Sequence, residues 1–458
     1  MALFGLLNAE QFANQRFKNF RRSIFYYYPN GSAPMIGLLS LMQDEETNDP
    51  EFYWFEKIKS DQRTVTAVNT TGSFITNTGT NADATSGGFS LSAGDTLRVI
   101  VADASMHRTG HIVRISAVPT TGSPIFIQGR VIAVYAGAGG GGLTGSGGTH
   151  QGIDIIVQEA YANITNSGSA VGLEVLIVGI VASEGQVGAS LTPWNLPVQP
   201  ANYCQIMRTA FQFTGTASKT SATFDSEGPY KDKSKEALIN HNQEMEKNFI
   251  FGRKAKTTDP ATGLPLRFMG GVLWFLEQWE LTSNNPYGRK GATADTDDDK
   301  RLIANSGGTM SEKTMDKYLE RIFRVSTSPT NEKLCLCGSG FLMVMNQLYR
   351  SKGTFYYNPG DKDKTYGMSM TSHLTSFGVV HYRTHPLFSE NPTLRFCALF
   401  EEVGNLKYRY MKGRDTELLK LRQPNNADYR EDEFFTDASL ELHAPQTFLF
   451  LQNVTDFT

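Results

Sequence analysis

An α+β fold interrupted by a separate all-β domain is what this sequence predicts, and three stretches predict it. From Thr64 to Thr192 charge thins out, Gly, Ser, Thr and Ala dominate, and short runs alternate apolar with polar residues. From Lys233 to Gly252 the spacing changes. Leu238, His241, Met245 and Phe249 recur three to four residues apart and so share one face of an amphipathic helix. Beyond that helix, helical stripes and strand-like alternation interleave, which is the pattern of an α+β domain.

Taken in order, Gln11 to Tyr28 mixes Phe12, Phe17, Phe20, Phe25 and Tyr26 to Tyr28 with Arg16, Lys18, Arg21 and Arg22, at loosely helical spacing. Basic residues interleaved with aromatics can bind nucleic acid. An arm that packs its aromatics on a neighbouring chain and leaves its charges solvated explains the aromatics better. Tyr28-Pro29-Asn30-Gly31-Ser32-Ala33-Pro34 is a turn-rich hinge. Met35 to Met42 is a short apolar element, and Asp49-Pro50-Glu51-Phe52-Tyr53-Trp54-Phe55-Glu56 opens an extended one.

Five alternating runs then predict the strands of a small β-barrel or sandwich: Leu97/Val99/Val101, Val113/Ile115/Ala117, Val131/Ala133/Tyr135, Ile153/Ile155/Val157 and Leu173 to Val181. Asn202 to Ala217 is again extended, with Met207, Thr209, Phe211 and Phe213 opposite Ile206, Arg208, Ala210, Gln212 and Thr214. Thr216 to Tyr230 reads as a polar loop ahead of the long helix, and Gly252 as its C-terminal stop.

After an aromatic-rich stretch from Leu264 to Leu281 and a polar, Asp-rich loop from Asn284 to Gly308, Ser311 is placed to cap a further helix. Its stripe is Met315, Tyr318, Leu319, Ile322 and Phe323. A strand at Leu334 to Cys337 turns through Gly338-Ser339-Gly340 into a helix carrying Phe341, Leu342, Met345 and Leu348. Strands follow at Gly378 to Arg383, Leu394 to Phe400, Ser439 to Leu442 and Phe448 to Leu451.

A chain of 458 residues can hold two or three domains with sizeable cores. A formal net charge of -3 argues against a protein that acts mainly as a basic wrapper of nucleic acid. Cys204, Cys335, Cys337 and Cys397 are too scattered for a disulfide framework; Cys335 and Cys337 read as buried thiols of a strand. No basic leader with a cleavage site and no run of roughly 18 apolar residues is present. The expectation is a soluble protein that folds under intracellular, reducing conditions.

No stretch carries catalytic chemistry. Gly137-Ala138-Gly139-Gly140-Gly141-Gly142 matches G-x-G-x-x-G, yet Leu143-Thr144-Gly145-Ser146-Gly147-Gly148 cannot begin the helix that would hold a pyrophosphate. It reads as a flexible loop between strands. His381 and His385 have zinc-pair spacing but lie on a strand pattern, where they would stand roughly 13 Å apart. His107 and His111 bracket a turn. Surface or hydrogen-bonding roles fit both pairs better than a metal. No catalytic residue, metal or cofactor is expected.

In this order the chain resembles the major capsid proteins of tailed bacteriophages, which have the Johnson fold shared with herpesviruses. Local resemblance lies in four places: Tyr28 to Pro34 with Asp49 to Glu56; Asn202-Tyr203-Cys204-Gln205-Ile206 with Phe213-Thr214-Gly215-Thr216; Glu244-Met245-Glu246 with Gly252-Arg253; and Ser439-Leu440-Glu441-Leu442-His443 with Gln452-Asn453-Val454.

The resemblance implies an N-terminal arm at 1–57, extended-loop flanks at 58–70 and 193–230, and an inserted β-domain at 71–192. It further implies a spine helix and peripheral domain at 231–283, a central domain at 284–400 packing round the five- and six-fold axes, and closing peripheral strands at 401–458. Phe17, Phe20, Tyr26, Tyr27, Tyr28, Trp54, Phe55, Phe211 and Phe213 become candidates for subunit contacts. Arg16, Lys18, Arg21 and Arg22 become candidates for facing DNA, and Leu238, Met245 and Phe249 the buried face of the spine.

The implied function is that of a major capsid protein, self-assembling as pentamers and hexamers into an icosahedral head in the host cytoplasm and holding packaged double-stranded DNA non-specifically. The implied partners are a portal, with a separate scaffold and a decoration protein as further candidates, and no membrane. Some relatives cross-link Lys to Asn between subunits; nothing around Lys219 marks a reactive pair, and no cross-link is expected. The rival readings are a β-rich tail or adhesion protein binding a host glycan, and an enzyme. The first has few aromatics in its β-domain (Phe74, Phe89, Phe126, Tyr135, Tyr161) and leaves the helical half unexplained.

Overall fold

The computed structural model describes residues 34–35, 44–57, 63–65, 74–76, 89–101, 104–117, 125–135, 151–164, 173–184, 196–219, 229–281, 302–327, 330–351, 364–365, 368–369, 371–423 and 425–457. These divide into two compact units, one of residues 1–56 with 198–458, the other of 57–197.

The smaller unit is all β. Its main sheet has seven strands in the order Arg63–Val65, Glu174–Ile180, His111–Ala117, Ile125–Tyr135, Gln151–Val157, Thr96–Val101, Phe74–Thr76, each pair antiparallel. The five alternating runs of the sequence supply its five central strands. The two end strands do not pair with each other, so the described sheet is open and is not a closed barrel. Phe89–Leu91 and Tyr161–Ile164 form a second, two-stranded sheet. Leu97, Val99, Val113, Ile115, Ile127, Val131, Ile153 and Ile155 fill the core between them. The unit is wider than the expected 71–192 because Arg63–Val65, placed in a loop flank by sequence, is hydrogen-bonded to Glu174–Ile180.

In the larger unit the long helix runs over Pro229–Phe251. It opens four residues before the expected Lys233, on a proline whose fixed φ and missing N–H suit a first helical position. The run Lys231 to Glu236 after Tyr230 is polar and breaks the apolar period there. The helix stops where Gly252 donates its N–H to the Asn248 carbonyl at 2.9 Å; a Cβ there would lie 2.5 Å from that oxygen and 2.8 Å from Met269 O. Only glycine fits so close an approach.

The helix lies across Gln205–Thr214 and Tyr429–Leu442, which pair residue for residue from Gln205↔Ala438 to Thr214↔Tyr429. This is a correction to the loop flank expected at 193–230. The alternation that made the segment extended also gives it a buried side, Met207 and Phe211, and so a place in a five-stranded sheet. The other strands of that sheet are Leu406–Met411, Glu417–Arg422 and Asp44–Thr47, the last parallel to Leu406–Met411. The end of the expected arm is therefore built into the larger unit, as is Glu51–Tyr53, which pairs with Ala201–Tyr203. Within the expected polar loop 216–230, Gly215–Lys219 forms a short helix.

The second sheet has six strands in the order Ile303–Met310, Leu449–Phe457, Ala398–Glu401, Glu332–Cys337, Val379–Thr384, Thr371–Leu374. It separates two cores. On Glu332–Cys337 Leu334 and Leu336 face one, while Cys335 and Cys337 face the other with Phe341, Met345, Tyr318 and Ile322. The helices Glu312–Arg324 and Ser339–Ser351 cover that second side. Because Leu449–Phe457 pairs with Ile303–Met310 and Ala398–Glu401, the segment 401–458 is split between both sheets instead of closing one domain.

Candidate functional site

The nine aromatic candidates fall into three groups. Phe17, Phe20, Tyr26, Tyr27 and Tyr28 lie outside the described residues, as do Arg16, Lys18, Arg21 and Arg22. Trp54 and Phe211 are buried in the chain's own cores, a correction to their place as subunit contacts. Trp54 packs edge-on to Phe275 at 5.7 Å between ring centres and donates its indole N–H to Glu56 Oε1 at 2.9 Å. Phe211 meets Phe434 and Ala237 under the long helix. Strand alternation explains the pattern: Phe52 and Trp54 point inward, so Tyr53 and Phe55 point out, and Phe55 is 67% exposed. Phe213 is half-buried against Tyr230.

Of the spine residues, Met245 and Phe249 sit in the main core with Phe275, Leu276 and Met207. Leu238 is half-buried against the Phe211 cluster. Two polar residues on the same helix do as much to seat it. His241 has no exposed surface; its Nδ1 is 2.9 Å from Thr209 Oγ1 and its Nε2 2.8 Å from Thr436 Oγ1, one hydroxyl on each strand beneath. Burial lowers its pKa, so the ring is held neutral. Glu246, also fully buried, accepts from the backbone N–H of Met35 at 2.7 Å and lies 2.8 Å from His385 Nε2.

His381 and His111 also make hydrogen bonds inside the fold. His381 Nδ1 is 2.9 Å from Ser372 Oγ, and Arg108 donates to His111 Nε2 at 2.7 Å. Both histidines are buried, so the surface alternative does not hold for them. Among the described residues no three His, Cys, Asp or Glu side chains are grouped to hold a metal. The four cysteines are free and buried. No described helix is long and apolar enough to cross a membrane. The Gly-rich stretch 136–142 lies outside the described residues.

One surface was missed by sequence reasoning. Ala255–Thr258 and Pro265–Phe268 form a hairpin in the register Ala255↔Phe268, Lys256↔Arg267, Thr257↔Leu266. Leu266 and Phe268 thus share one side and Lys256 and Arg267 the other. Leu264, Leu266 and Phe268 are all exposed. Its signal was present as the alternation Leu264, Leu266, Phe268, but the run is short and merges with the aromatics of the helix Val272–Glu280. A second exposed apolar pair, Leu374 and Phe377, brackets the turn before Val379–Thr384.

A sequence model of one family, the SU10 major capsid proteins, matches residues 7–455. Among curated proteins, the major capsid protein of Pseudomonas phage PaMx41 is 23% identical over 273 residues, or 58% of this chain and 59% of that protein. The chain thus spans about three fifths of the length of that curated relative. Among solved structures, a chain of Mycobacterium phage Bobi is 7% identical, with a TM-score of 0.40 over 97% of this chain and 98% of that one. A chain from the mature capsid of bacteriophage PhiM1 is 9% identical, with a TM-score of 0.37 over 61% of this chain and 79% of that one. Overlaps so loose carry no argument of their own. The family match spans almost every residue: the chain belongs to the SU10 major capsid protein family.

Proposed function

We propose that this chain is the repeating subunit of an icosahedral phage head, that it assembles as pentamers and hexamers in the host cytoplasm, and that the closed shell encloses double-stranded DNA. The observation that carries this reading is the family match over residues 7–455. Its physics is repetition. Contacts each near the usual size of about 1,600 Å² become a stable lattice when every subunit makes several at once. Exposed Phe55 and the half-buried Phe213 supply contact surface, and the aromatics Phe17, Phe20, Tyr26, Tyr27 and Tyr28 supply more from the arm. Arg16, Lys18, Arg21 and Arg22 face the packaged DNA, neutralising phosphates without reading sequence. A portal completes the shell, with a scaffold and a decoration protein as further partners. The chain performs no catalysis.

The test is negative-stain microscopy of the expressed protein, alone and with its neighbouring gene products. Regular shells, tubes or capsomers are expected. A monomer that persists under every condition would overturn the proposal.

A further inference from the structure

We propose that the outer face of the seven-stranded sheet in the β-unit binds an anionic polysaccharide, with Arg114 and Arg130 meeting carboxylates of a uronic acid chain. Val113, Ile115, Ile127 and Val131 turn into the core. Strand alternation therefore puts Ile112, Arg114, Phe126, Gln128 and Arg130 together on the opposite side. Arg114 lies directly across from Gln128, and Arg130 across from Ile112 on one neighbouring strand and Ile156 on the other. The two arginines are thus diagonal neighbours, about 7–8 Å apart at the backbone. Phe126 and Ile156 beside them are exposed.

A third arginine on this face shows how the fold compensates such a charge. Asp154 accepts from Nε and Nη2 of Arg98 at 2.6 and 2.8 Å, and from the Tyr135 hydroxyl at 3.0 Å. Arg114 and Arg130 have no such partner: neither takes part in a hydrogen bond or ion pair within the described chain, and Arg130 Nε is shut off from water as well. Glu174, a carboxylate on the strand beyond Arg114, bonds to neither. Like charges set close together on a sheet destabilise it, and an unpaired buried donor on a charged group adds a further cost. An anion laid on the face relieves both.

The arrangement also selects among anions. Arg114 leans over the Phe126 ring at 3.6 Å, on the side of Gln128 away from Arg130. The two guanidiniums are therefore spread along the face, and a ligand that meets both carries more than one anionic group. Two unpaired cations are few for nucleic acid, whose binding rests on many phosphate contacts, and Arg114 already covers one face of the ring on which a base would stack. A peptide gains its affinity by pairing its backbone with a sheet edge, whereas this is a sheet face. A second copy of the same face would bring guanidinium against guanidinium. A uronic acid chain fits: each ring carries a carboxylate that matches the planar fork of an arginine, hydroxyls within reach of the Gln128 amide, and a C–H face to lie on Ile112 and Ile156.

Binding here involves the β-unit alone and is independent of assembly into a shell. Fluorescence anisotropy of a labelled oligoguluronate, titrated with the full chain at low salt, tests it. Binding that weakens as sodium chloride is added is expected. Arg114→Gln and Arg130→Gln should each lower the affinity by about tenfold or more, through loss of one charge-assisted contact. Lys256→Gln, on the hairpin of the larger unit, should leave it unchanged. Arg114→Lys and Arg130→Lys keep the charge without the fork and should fall between. If a Gln variant does not fold, its Lys counterpart decides, and wild-type affinity there would overturn the site. So would no binding by the wild type, or equal affinity in the Gln variants. Equal or tighter binding of a labelled poly-glutamate peptide, a single-stranded oligonucleotide or neutral dextran would overturn it as well.

Discussion

Lys333 and Glu402 show at the scale of single residues how this fold handles charge. Neither side chain is exposed beyond a few per cent; the ammonium meets Glu402 Oε2 and also lies 3.4 Å from the Thr447 carbonyl. Burial lowers the pKa of Lys333, and the bond to Glu402 pulls it back up. Glu402 is held in addition by Thr327 and Ser326. Removing one partner leaves the other charged and stranded, which typically costs about 3–5 kcal/mol, whereas replacing both by apolar groups of similar size is often nearly neutral. Lys333→Met should therefore destabilise the larger unit by about that amount, and Lys333→Met with Glu402→Leu by far less. Urea unfolding followed by tryptophan fluorescence measures it, since Trp54, Trp274 and Trp279 belong to this unit. Equal losses in the single and double variants would show that the pair is not energetically coupled. A harsher change is Met245→Asp, which places a carboxylate in the apolar core that holds Phe249 and Phe275. Insoluble or unfolded protein, and no assembly, is the expected result; soluble shells would show that the helix does not depend on this face.

Among the elements, the long helix is held to the five-stranded sheet by a polar bridge as well as by its apolar stripe. His241 spans Thr209 and Thr436 in its neutral form. A histidine whose folded pKa lies below the ordinary value near 6.5 binds its proton in the unfolded chain first, so stability falls as pH drops below about 6.5. It stops falling once the folded state also takes up a proton. The difference in unfolding free energy between wild type and His241→Gln should shrink from pH 7 to pH 5; a constant difference would mean that His241 does not titrate on unfolding. At the other end of the unit, Ser311 Oγ accepts from Thr314 N at 3.3 Å as the N-cap of Glu312–Arg324, and Ser311→Ala should cost about 1 kcal/mol in the same assay. That cap was legible in the sequence because capping is local. The start of the long helix was not, because Tyr230 is the one aromatic of its first turn and is followed by the polar run Lys231 to Glu236, which breaks the apolar period before Ala237 and Leu238. The strand Gln205–Thr214 was legible as extended, yet its partner lies more than two hundred residues away at Tyr429–Leu442. Alternation tells which side of a strand is buried and says nothing of what pairs with its edge.

For the whole molecule, family membership was readable from the order of its elements, while the assembly surfaces were readable only in part. Trp54 and Phe55 are neighbours of similar character, and only the pairing of the strand shows that one is core and the other surface. The insertion is where sequence and structure meet most usefully. Glu56 and Val198 exchange backbone hydrogen bonds at 3.0 Å and 2.8 Å, so the chain leaves the larger unit and re-enters it at adjacent points. The β-unit has its own core, drawn entirely from residues between Leu91 and Ile177, and the three cores of the larger unit contain none of them. A pair of antiparallel residues can be closed by a two-residue turn, for which Asn-Gly has the required backbone preference. Replacing residues 57–197 by Asn-Gly should therefore leave a protein that folds, with an unfolding free energy for the larger unit within about 1 kcal/mol of the parent's, since none of the insert's core residues belongs to the larger unit's cores. Assembly should persist or weaken mildly, as expected of a decoration on a shell subunit. Failure of this variant to fold would mean that the larger unit draws stability from the insert, and the division at Glu56 and Val198 would then mark a turn in the chain and not a boundary between independent folds.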